Sequence, residues 1–195
     1  MLDAAAAPGA NVKVLCRFRP FNNREKEMGA VQVQDLLDEK TVNIKDRDSG
    51  KEANKFTLDK IFDMSTTQQE VYNYAAAPII ESVIEGFNGT IFAYGQTSSG
   101  KTHTMEGEVG ESISANSGII PRMVKHVFSA IENSDENIEF RIKVSLVELY
   151  MEKLKDLLDP RKGDLNIRSD KKKGIYIEDL TENYISSMEE VYKLI

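Results

Sequence analysis

The sequence predicts an α/β fold in which helices flank a mixed central sheet. Apolar residues alternate along residues 11–19, as in a half-buried strand, and recur at helical spacing between Val71 and Phe87. A second apolar run, Thr90 to Tyr94, leads directly into a glycine-rich loop and a helix start. Strands and helices that alternate along a chain are typical of layered α/β domains.

The N-terminal part of the chain is predicted to contribute strands. Pro20 should end the strand at 11–19, because proline has no N–H to donate to a β-ladder. Short β-like runs at Val31–Val33 and Thr41–Ile44 lie within a polar, glycine-punctuated stretch. They are expected to form small strands outside the main core.

A kinked helix is predicted to follow. Thr67 and Glu70 have the spacing of a capping box at the start of a helix. Pro78 should kink this helix because it removes one backbone hydrogen bond, and Gly86 should end it. The Thr90–Tyr94 run is then expected to be a buried strand, since it is short, apolar and rich in β-branched and aromatic residues.

Beyond the glycine-rich loop the pattern continues to alternate. A polar stretch from Gly107 to Ser117 should separate the helix that follows the loop from a second helix. The remaining predicted elements are a helix at 119–131, a strand at 140–147, a helix or helical turn at 149–158, a basic loop at 160–174, a strand at 175–180 and a helix at 187–195.

Composition excludes some classes of protein. The chain has 195 residues and a net charge of −7, whereas general nucleic-acid-binding proteins are usually basic. No apolar run approaches the ~20 residues of a membrane span, and the Ala-rich residues 1–10 are expected to be a disordered leader rather than a signal peptide. The single cysteine, Cys16, cannot form an internal disulfide, which favours a reduced, buried thiol in a cytosolic protein.

The glycine-rich loop carries the strongest functional pattern. It matches G-x-x-x-x-G-K-[ST] throughout, with Gly95, Gln96, Thr97, Ser98, Ser99, Gly100, Lys101 and Thr102. The glycines allow turns in which consecutive backbone N–H groups point at an anion. Lys101 would contact the β- and γ-phosphates, and the Thr102 hydroxyl would bind magnesium. The sequence therefore predicts a P-loop NTPase-type site for ATP or ADP with Mg²⁺.

Neighbouring residues bear on which base this site would hold. The sequence contains no N-K-x-D motif, with which a GTPase usually reads guanine. Arg17 and Arg19 lie at the end of a predicted strand, where α/β sheets build ligand crevices, so an arginine could lie against a base. A solvated strand face explains these two arginines equally well. His103 could stack on a base, or it could be an ordinary residue in the first turn of the helix.

Five segments, in order along the chain, resemble motifs of kinesin motor domains. The longest is Phe92–Met105, which contains the P-loop. The other four are Arg17–Pro20, Phe56–Phe62, Gly118–Arg122 and Val144–Tyr150 leading into Asp156–Leu158. The resemblance runs from about Asn11 to the C-terminus and is closest to the conventional heavy-chain branch of the family.

The resemblance implies the kinesin motor fold and a microtubule-stimulated ATPase. Arg17, Pro20 and His103 would surround the adenine, and Arg19 would belong to the same nucleotide site. Residues 96–102 would wrap the phosphates, with Thr102 on magnesium.

The resemblance also implies a filament contact. The loop with Lys171, Lys172 and Lys173 corresponds to one that touches tubulin, although three lysines beside Gly174 also fit a solvated turn. Microtubules are therefore the expected partner, with no nucleic acid and no membrane insertion. For the full-length protein the resemblance implies a homodimer through a coiled coil, a cytoplasmic location on microtubules and, from the motor's N-terminal placement, plus-end-directed movement.

Residues 11–195 are expected to be only the N-terminal half of a motor domain. The family's Ser-Ser-Arg-Ser-His and Asp-Leu-Ala-Gly switch motifs, which sense the γ-phosphate and position the attacking water, do not occur in the sequence. No catalytic residue is therefore assigned, and the chain alone is expected to be inactive in hydrolysis. The alternative function is a nucleotide- or tubulin-binding fragment without turnover. A small-molecule kinase would explain the P-loop but none of the other four motifs.

Overall fold

The computed structural model describes residues 12–45, 54–108, 110, 112–172 and 174–195. The predicted leader, residues 1–10, lies outside these residues. The described strands are β1 (Leu15–Arg17), β2 (Gln34–Leu36), β3 (Thr41–Ile44), β4 (Asn54–Thr57), β5 (Lys60–Phe62), β6 (Ile142–Val144), β7 (Val147–Tyr150), β8 (Lys153–Asp156), β9 (Ile167–Asp170), β10 (Gly174–Ile177) and β11 (Asn183–Ile185). The described helices are α1 (Asn23–Glu27), α2 (Gln68–Ala75), α3 (Ala77–Ile84), α4 (Lys101–Met105), α5 (Ile119–Glu132) and α6 (Met188–Tyr192).

Strand pairing is both parallel and antiparallel, as expected of a mixed α/β fold. β1 and β5 are parallel, with Cys16 opposite Ile61. The antiparallel ladders are β2–β3–β4, β6–β11, β7–β8 and β9–β10. Within the described part of the chain, these ladders form five small sheets rather than one continuous central sheet.

The core lies between the β1–β5 pair and helices α2 and α5. Its buried members are Phe62, Val71, Tyr72, Ala76 and Ile119. Leu15, Ala77, Ile91, Met105 and Met123 are partly buried and pack against this cluster. Each large apolar side chain that is fully buried contributes about 1.5–3 kcal/mol relative to exposure. Because Met105 ends α4, this core also anchors the helix that follows the glycine-rich loop.

The helices predicted after Thr67, after the glycine-rich loop, at 119–131 and from Ser187 are confirmed, and the first of them has its predicted capping box. The Thr67 side chain accepts a hydrogen bond from the Glu70 backbone N–H, and the Glu70 carboxylate accepts one from the Thr67 N–H. The kink at Pro78 is a full break, since α2 ends before Ala76 and Pro78 lies in the first turn of α3. The helices predicted at 119–131 and from Ser187 are α5 and α6.

The strand predictions were less accurate. β1 contains only three residues, and Val12 and Val14 precede it as exposed side chains. The prediction of a buried strand at Thr90–Tyr94 was wrong, because Phe92 and Tyr94 are 75% and 96% exposed. An extended segment becomes a strand only where a second strand accepts and donates its backbone hydrogen bonds. Among the described residues, no strand pairs with this segment.

The region after α5 also differs from its prediction. The helix or helical turn predicted at 149–158 is a β-hairpin, β7–β8, joined by Met151 and Glu152 with φ of +48° and +62°. Two central residues with positive φ match the twist of a two-residue hairpin turn. This pair lacks the usual Asn-Gly signal, so the turn was missed. The predicted strand at 140–147 is divided between β6 and β7, and the predicted basic loop contains β9.

In the N-terminal region, β3 has its predicted bounds, whereas the strand predicted at 31–33 lies three residues later as β2. β3 is less peripheral than expected, because Thr41 and Val42 are buried. β4, β5 and β11 had no prediction.

A buried carboxylate fixes the segment that follows the β7–β8 hairpin. The Asp156 side chain accepts hydrogen bonds from the backbone N–H groups of Leu158, Asp159 and Thr181 at 2.8–3.1 Å. It also pairs with the Lys162 ammonium at 3.2 Å. Burial would raise the pKa of Asp156, but the bonds from Thr181, Asp159 and Lys162 outweigh it and hold the pKa well below its usual range.

Asp156→Asn should destabilise the protein by about 2–4 kcal/mol, because an amide NH₂ would face donors in place of an acceptor. A carboxylate with a lowered folded-state pKa stabilises the fold fully above its unfolded pKa and loses that contribution as the pH falls towards the folded value. The difference between wild type and variant in urea unfolding should therefore shrink below about pH 4. Asp164→Asn, at an exposed carboxylate paired with Lys153, is the matched control. A difference that stays constant with pH would contradict this account.

Candidate phosphate-binding site

The glycine-rich loop has the backbone that its sequence pattern predicts. Gly100 is the N-cap of α4 and has a φ of +100°, which favours glycine. Ser98 is also left-handed, with a φ of +64°. Gly95 approaches Ser99 so closely that an added Cβ would lie 2.5 Å from the Ser99 Oγ. The two glycines therefore allow a tight turn between the 90–94 segment and α4.

The concave side of such a turn is rich in donors. Within the described residues, Ser99 is the one member of the 96–102 stretch whose backbone N–H donates to a protein acceptor, the Gln96 carbonyl at 3.2 Å. The first amides of a helix have no acceptor within the helix itself. Unpaired amides grouped at one turn are suited to hold an anion.

Lys101 folds back across its own loop. Its ammonium donates to the carbonyl oxygens of Gly95 at 2.7 Å and Gln96 at 2.9 Å. These contacts place the positive charge inside the curve of the loop, where the predicted phosphates would lie. Thr102 is exposed in the first turn of α4, directly beside Lys101.

Arg19, which lies two residues after β1, contacts the loop. Its Nε donates to the Ser98 carbonyl at 2.8 Å, and its guanidinium makes a two-pronged ion pair with Glu25. One Nη also donates to the Pro20 carbonyl at 3.0 Å. Hydrogen bonding to Glu25 raises the pKa of Arg19, so its charge is permanent. The structure thus brings the predicted Arg19 to the crest of the loop.

Arg17 points into the protein rather than along the loop. Its guanidinium donates to the Gln68 Oε1 at 2.8 Å and the Thr104 Oγ1 at 3.0 Å, with a longer bond of 3.4 Å to the Thr66 carbonyl. Burial lowers the pKa of Arg17. Its predicted contact with the adenine stays a prediction, and its observed contacts position α4.

Gln68 completes this internal network. Its buried side-chain amide donates to the carbonyl oxygens of His103 at 2.7 Å and Asn116 at 3.0 Å while its oxygen accepts from Arg17. The amide therefore caps the C-terminal end of α4 and ties it to the loop that returns towards α5.

The other predicted site residues lie on accessible surfaces. Pro20 and His103 are exposed, as their predicted contact with a base requires. Lys171 and Lys172 are exposed at the turn between β9 and β10, and Lys173 lies outside the described residues.

Sequence reasoning missed Gln68 and Glu25. Glu25 carried a usable signal, because Asn22 and Glu25 have capping-box spacing and form that box at the start of α1. Gln68 carried none. A glutamine in the first turn of a helix is usually exposed, and Gln68 is buried where it bonds Arg17, His103 and Asn116, which are all distant in sequence.

The residues present fit a triphosphate with magnesium. The donors comprise unpaired loop amides and one ammonium, and the Thr102 hydroxyl is a hard oxygen ligand of the kind that Mg²⁺ prefers. The described residues contain no cluster of three or more His, Cys, Asp or Glu side chains suited to a metal. Thr102 would therefore hold the metal when nucleotide is bound, and no all-protein cage is formed by the described residues.

Comparison with known proteins places the chain in a family. The family model described as the kinesin motor domain matches residues 17–195, nearly the whole chain. This chain belongs to the kinesin motor domain family.

Individual kinesins are similar over almost all of its length. Kinesin-1 heavy chain of Rattus norvegicus is 46% identical over 181 residues, and kinesin heavy chain of Drosophila melanogaster is 45% identical over 188 residues. These alignments cover 93% and 95% of this chain but 18% of each relative. A solved fast kinesin superposes with a TM-score of 0.85 at 38% identity, covering 94% of this chain and 51% of that one. The chain thus spans about half of the solved kinesin, whose fold confirms the predicted α/β class.

Among the helices that the structure describes in this kinesin-family chain, none has the length and apolar character needed to cross a bilayer.

Gly100→Ala should disturb the loop through backbone strain alone, since an added Cβ would meet nothing closer than 3.9 Å. The left-handed conformation costs an alanine about 1–2 kcal/mol, which the loop would relieve by moving. We expect weaker Mg·ATP binding in calorimetry together with a small drop in melting temperature. Gly29→Ala is the control, because Gly29 also has a positive φ with open space around it. Equal loss of binding in both variants would contradict a local role for Gly100.

Proposed function

We propose that this chain binds Mg·ATP and Mg·ADP on its P-loop and supplies the nucleotide site of an ATP-driven microtubule motor. The observation that carries the proposal is the loop itself, where the Lys101 ammonium folds back on the loop beside unpaired amides and the left-handed turn at Gly100, in a member of the kinesin family. Lys101 would exchange its two carbonyl acceptors for β- and γ-phosphate oxygens. Thr102 would hold magnesium, which would neutralise phosphate charge when bound.

The motor function is supported by the relatives. Those with the stated identities are named kinesin heavy chains, and the solved kinesin is described by its ATPase mechanism and its interactions with microtubules. This chain covers only part of each of these relatives, so their activity is a proposal for it. A cytoplasmic location on microtubules, plus-end-directed movement and a coiled-coil homodimer of the full-length protein belong to the same proposal.

The turn between β9 and β10 is the proposed microtubule contact in this part of the molecule. Lys171 and Lys172 are exposed there. Arg168 on β9 is paired with Glu178 at 2.9 Å. Exposed lysines at a hairpin turn suit a partner with an acidic surface.

A second candidate function is nucleotide or tubulin binding without turnover. It is favoured by the groups at the loop, because amides, an ammonium and a hydroxyl account for phosphate and magnesium binding without assigning any residue to turnover. Hydrolysis needs groups that stabilise the γ-phosphoryl transition state and orient water. The two candidates differ in turnover, not in binding.

Lys101→Ala should abolish detectable Mg·ATP binding by the chain in calorimetry, because the loop loses the one ammonium among its own residues. In the full-length protein it should stop microtubule gliding. Lys125→Ala, at an exposed position on α5, is the control for loss of a surface lysine.

The same variant separates the two candidate functions. A motor requires wild-type turnover that microtubules stimulate and that Lys101→Ala removes. A binding fragment would co-sediment with tubulin equally well with and without Lys101. No Mg·ATP binding by well-folded wild-type chain would overturn both.

The double variant Lys171→Glu/Lys172→Glu should weaken microtubule co-sedimentation by about tenfold, and more steeply at low salt, where charge attraction is least screened. The control is the double variant Lys40→Glu/Lys125→Glu, which changes the net charge by the same amount at exposed positions outside the β9–β10 turn. If both double variants weaken co-sedimentation alike, overall charge rather than the hairpin turn governs the interaction.

A further inference from the structure

The crest of the phosphate loop is held from outside the loop. Ser98, the left-handed residue at this crest, has its carbonyl oxygen bonded to the Arg19 Nε at 2.8 Å. The stem of Arg19 also lies under Gly100, where an added Cβ would be 3.9 Å from the Arg19 Cβ and Cδ. Arg19 therefore contacts the loop at its crest and lies near the point where α4 begins.

Glu25 in turn holds Arg19. Its carboxylate makes the two-pronged pair with the guanidinium, and the oxygen that accepts from the Arg19 Nη1 at 2.7 Å also accepts from the Asn22 N–H at 2.9 Å. The Asn22 side chain completes the capping box by accepting from the Glu25 N–H at 2.8 Å. One carboxylate thus starts helix α1 and fixes the arginine against the loop.

The Arg19–Glu25 ion pair contributes little to overall stability. Both side chains are about one-third exposed, at 34% and 31%, and ion pairs this accessible contribute little to folding. Bonding to Arg19 lowers the pKa of Glu25 to about 2, so the carboxylate is ionised throughout the physiological range. A permanent, well-oriented pair that contacts a binding loop acts on the shape of that loop.

We propose that Glu25 is a positioning residue for nucleotide binding, acting through Arg19 to hold Ser98 and the crest of the P-loop in the conformation that receives the phosphates. The inference rests on the proposed nucleotide site and adds to it a residue outside the loop. Preorganised donors bind an anion more tightly than donors that must first be ordered.

Removing the carboxylate has two opposite effects on binding, which makes the inference testable. Loss of a negative charge near the phosphates would tighten binding through simple Coulomb attraction. Loss of the clamp would weaken it by letting Arg19 and Ser98 move. Since the Coulomb term at an exposed position is screened by water and salt, the geometric effect should dominate.

Glu25→Gln should weaken Mg·ADP and Mg·ATP binding by about tenfold, the effect of losing one charge-assisted contact. The weakening should appear as an increase in the dissociation rate constant. Arg19→Lys should have a similar effect, because an ammonium cannot bond Ser98 and fork onto Glu25 together. The double variant should be no weaker than the worse single variant, since both act through one contact. Glu139→Gln is the matched control, as Glu139 is an exposed carboxylate paired with Arg141 at 3.1 Å.

Binding would be followed with a fluorescent ADP analogue by stopped flow, and melting temperatures recorded for each variant. Weaker binding with an unchanged melting temperature and a non-additive double variant would support the positioning role. Unchanged or tighter binding by Glu25→Gln, or fully additive single effects, would overturn it while leaving the nucleotide site intact.

Failure of the wild-type chain to bind nucleotide would instead overturn the proposed function and this inference together. If Glu25→Gln loses cooperative unfolding through damage to α1, Arg19→Lys decides the question alone, because it leaves the capping box of Asn22 and Glu25 in place.

Discussion

The buried side-chain amide of Gln68 is the interaction on which the phosphate-binding loop depends most. Helix α4 has five residues, too few to be stable without tertiary contacts. Gln68 caps its C-terminal carbonyl at His103, Arg17 bonds Thr104 from the same side, and Met105 packs into the core. The direction of α4 determines the position of Lys101 at its N-terminus. The geometry of the loop therefore depends on contacts made towards the C-terminal end of this helix.

Arginines organise the segments around this helix by bonding to neutral groups as well as to carboxylates. Arg122 is buried and donates to the carbonyl oxygens of Ser114, Ala115 and Ser117, which closes the loop between α4 and α5. Arg17 bonds only uncharged groups among the described residues, whereas Arg19 bonds both the Ser98 carbonyl and Glu25. Although its net charge is −7, the chain thus holds two cations, Arg19 and Lys101, at its predicted anion site.

The molecule also exposes large apolar side chains that ordinarily lie inside a sheet. Phe92 and Tyr94 precede the phosphate loop, and Leu149, Tyr150 and Met151 lie on or beside the β7–β8 hairpin, each more than 60% exposed. Extended segments with this composition usually pack against neighbouring strands. The proposal that these residues belong to a larger motor accounts for such a surface, and the 0.85 TM-score shows that the local fold is the kinesin one regardless.

The sequence by itself determined the P-loop pattern, the capped helix at Thr67, a distortion at Pro78 and the kinesin family, because each depends on residue types at fixed short spacings. Only the tertiary structure decided that Arg19 rather than Arg17 touches the loop, that Gln68 is buried, and that 147–156 is a hairpin. Local patterns specify caps, turns and periodicity within about one or two helical turns. The residue that accepts a hydrogen bond from a guanidinium, or the strand that pairs with a given strand, can lie tens of residues away in the sequence. Tertiary packing decides which one it is.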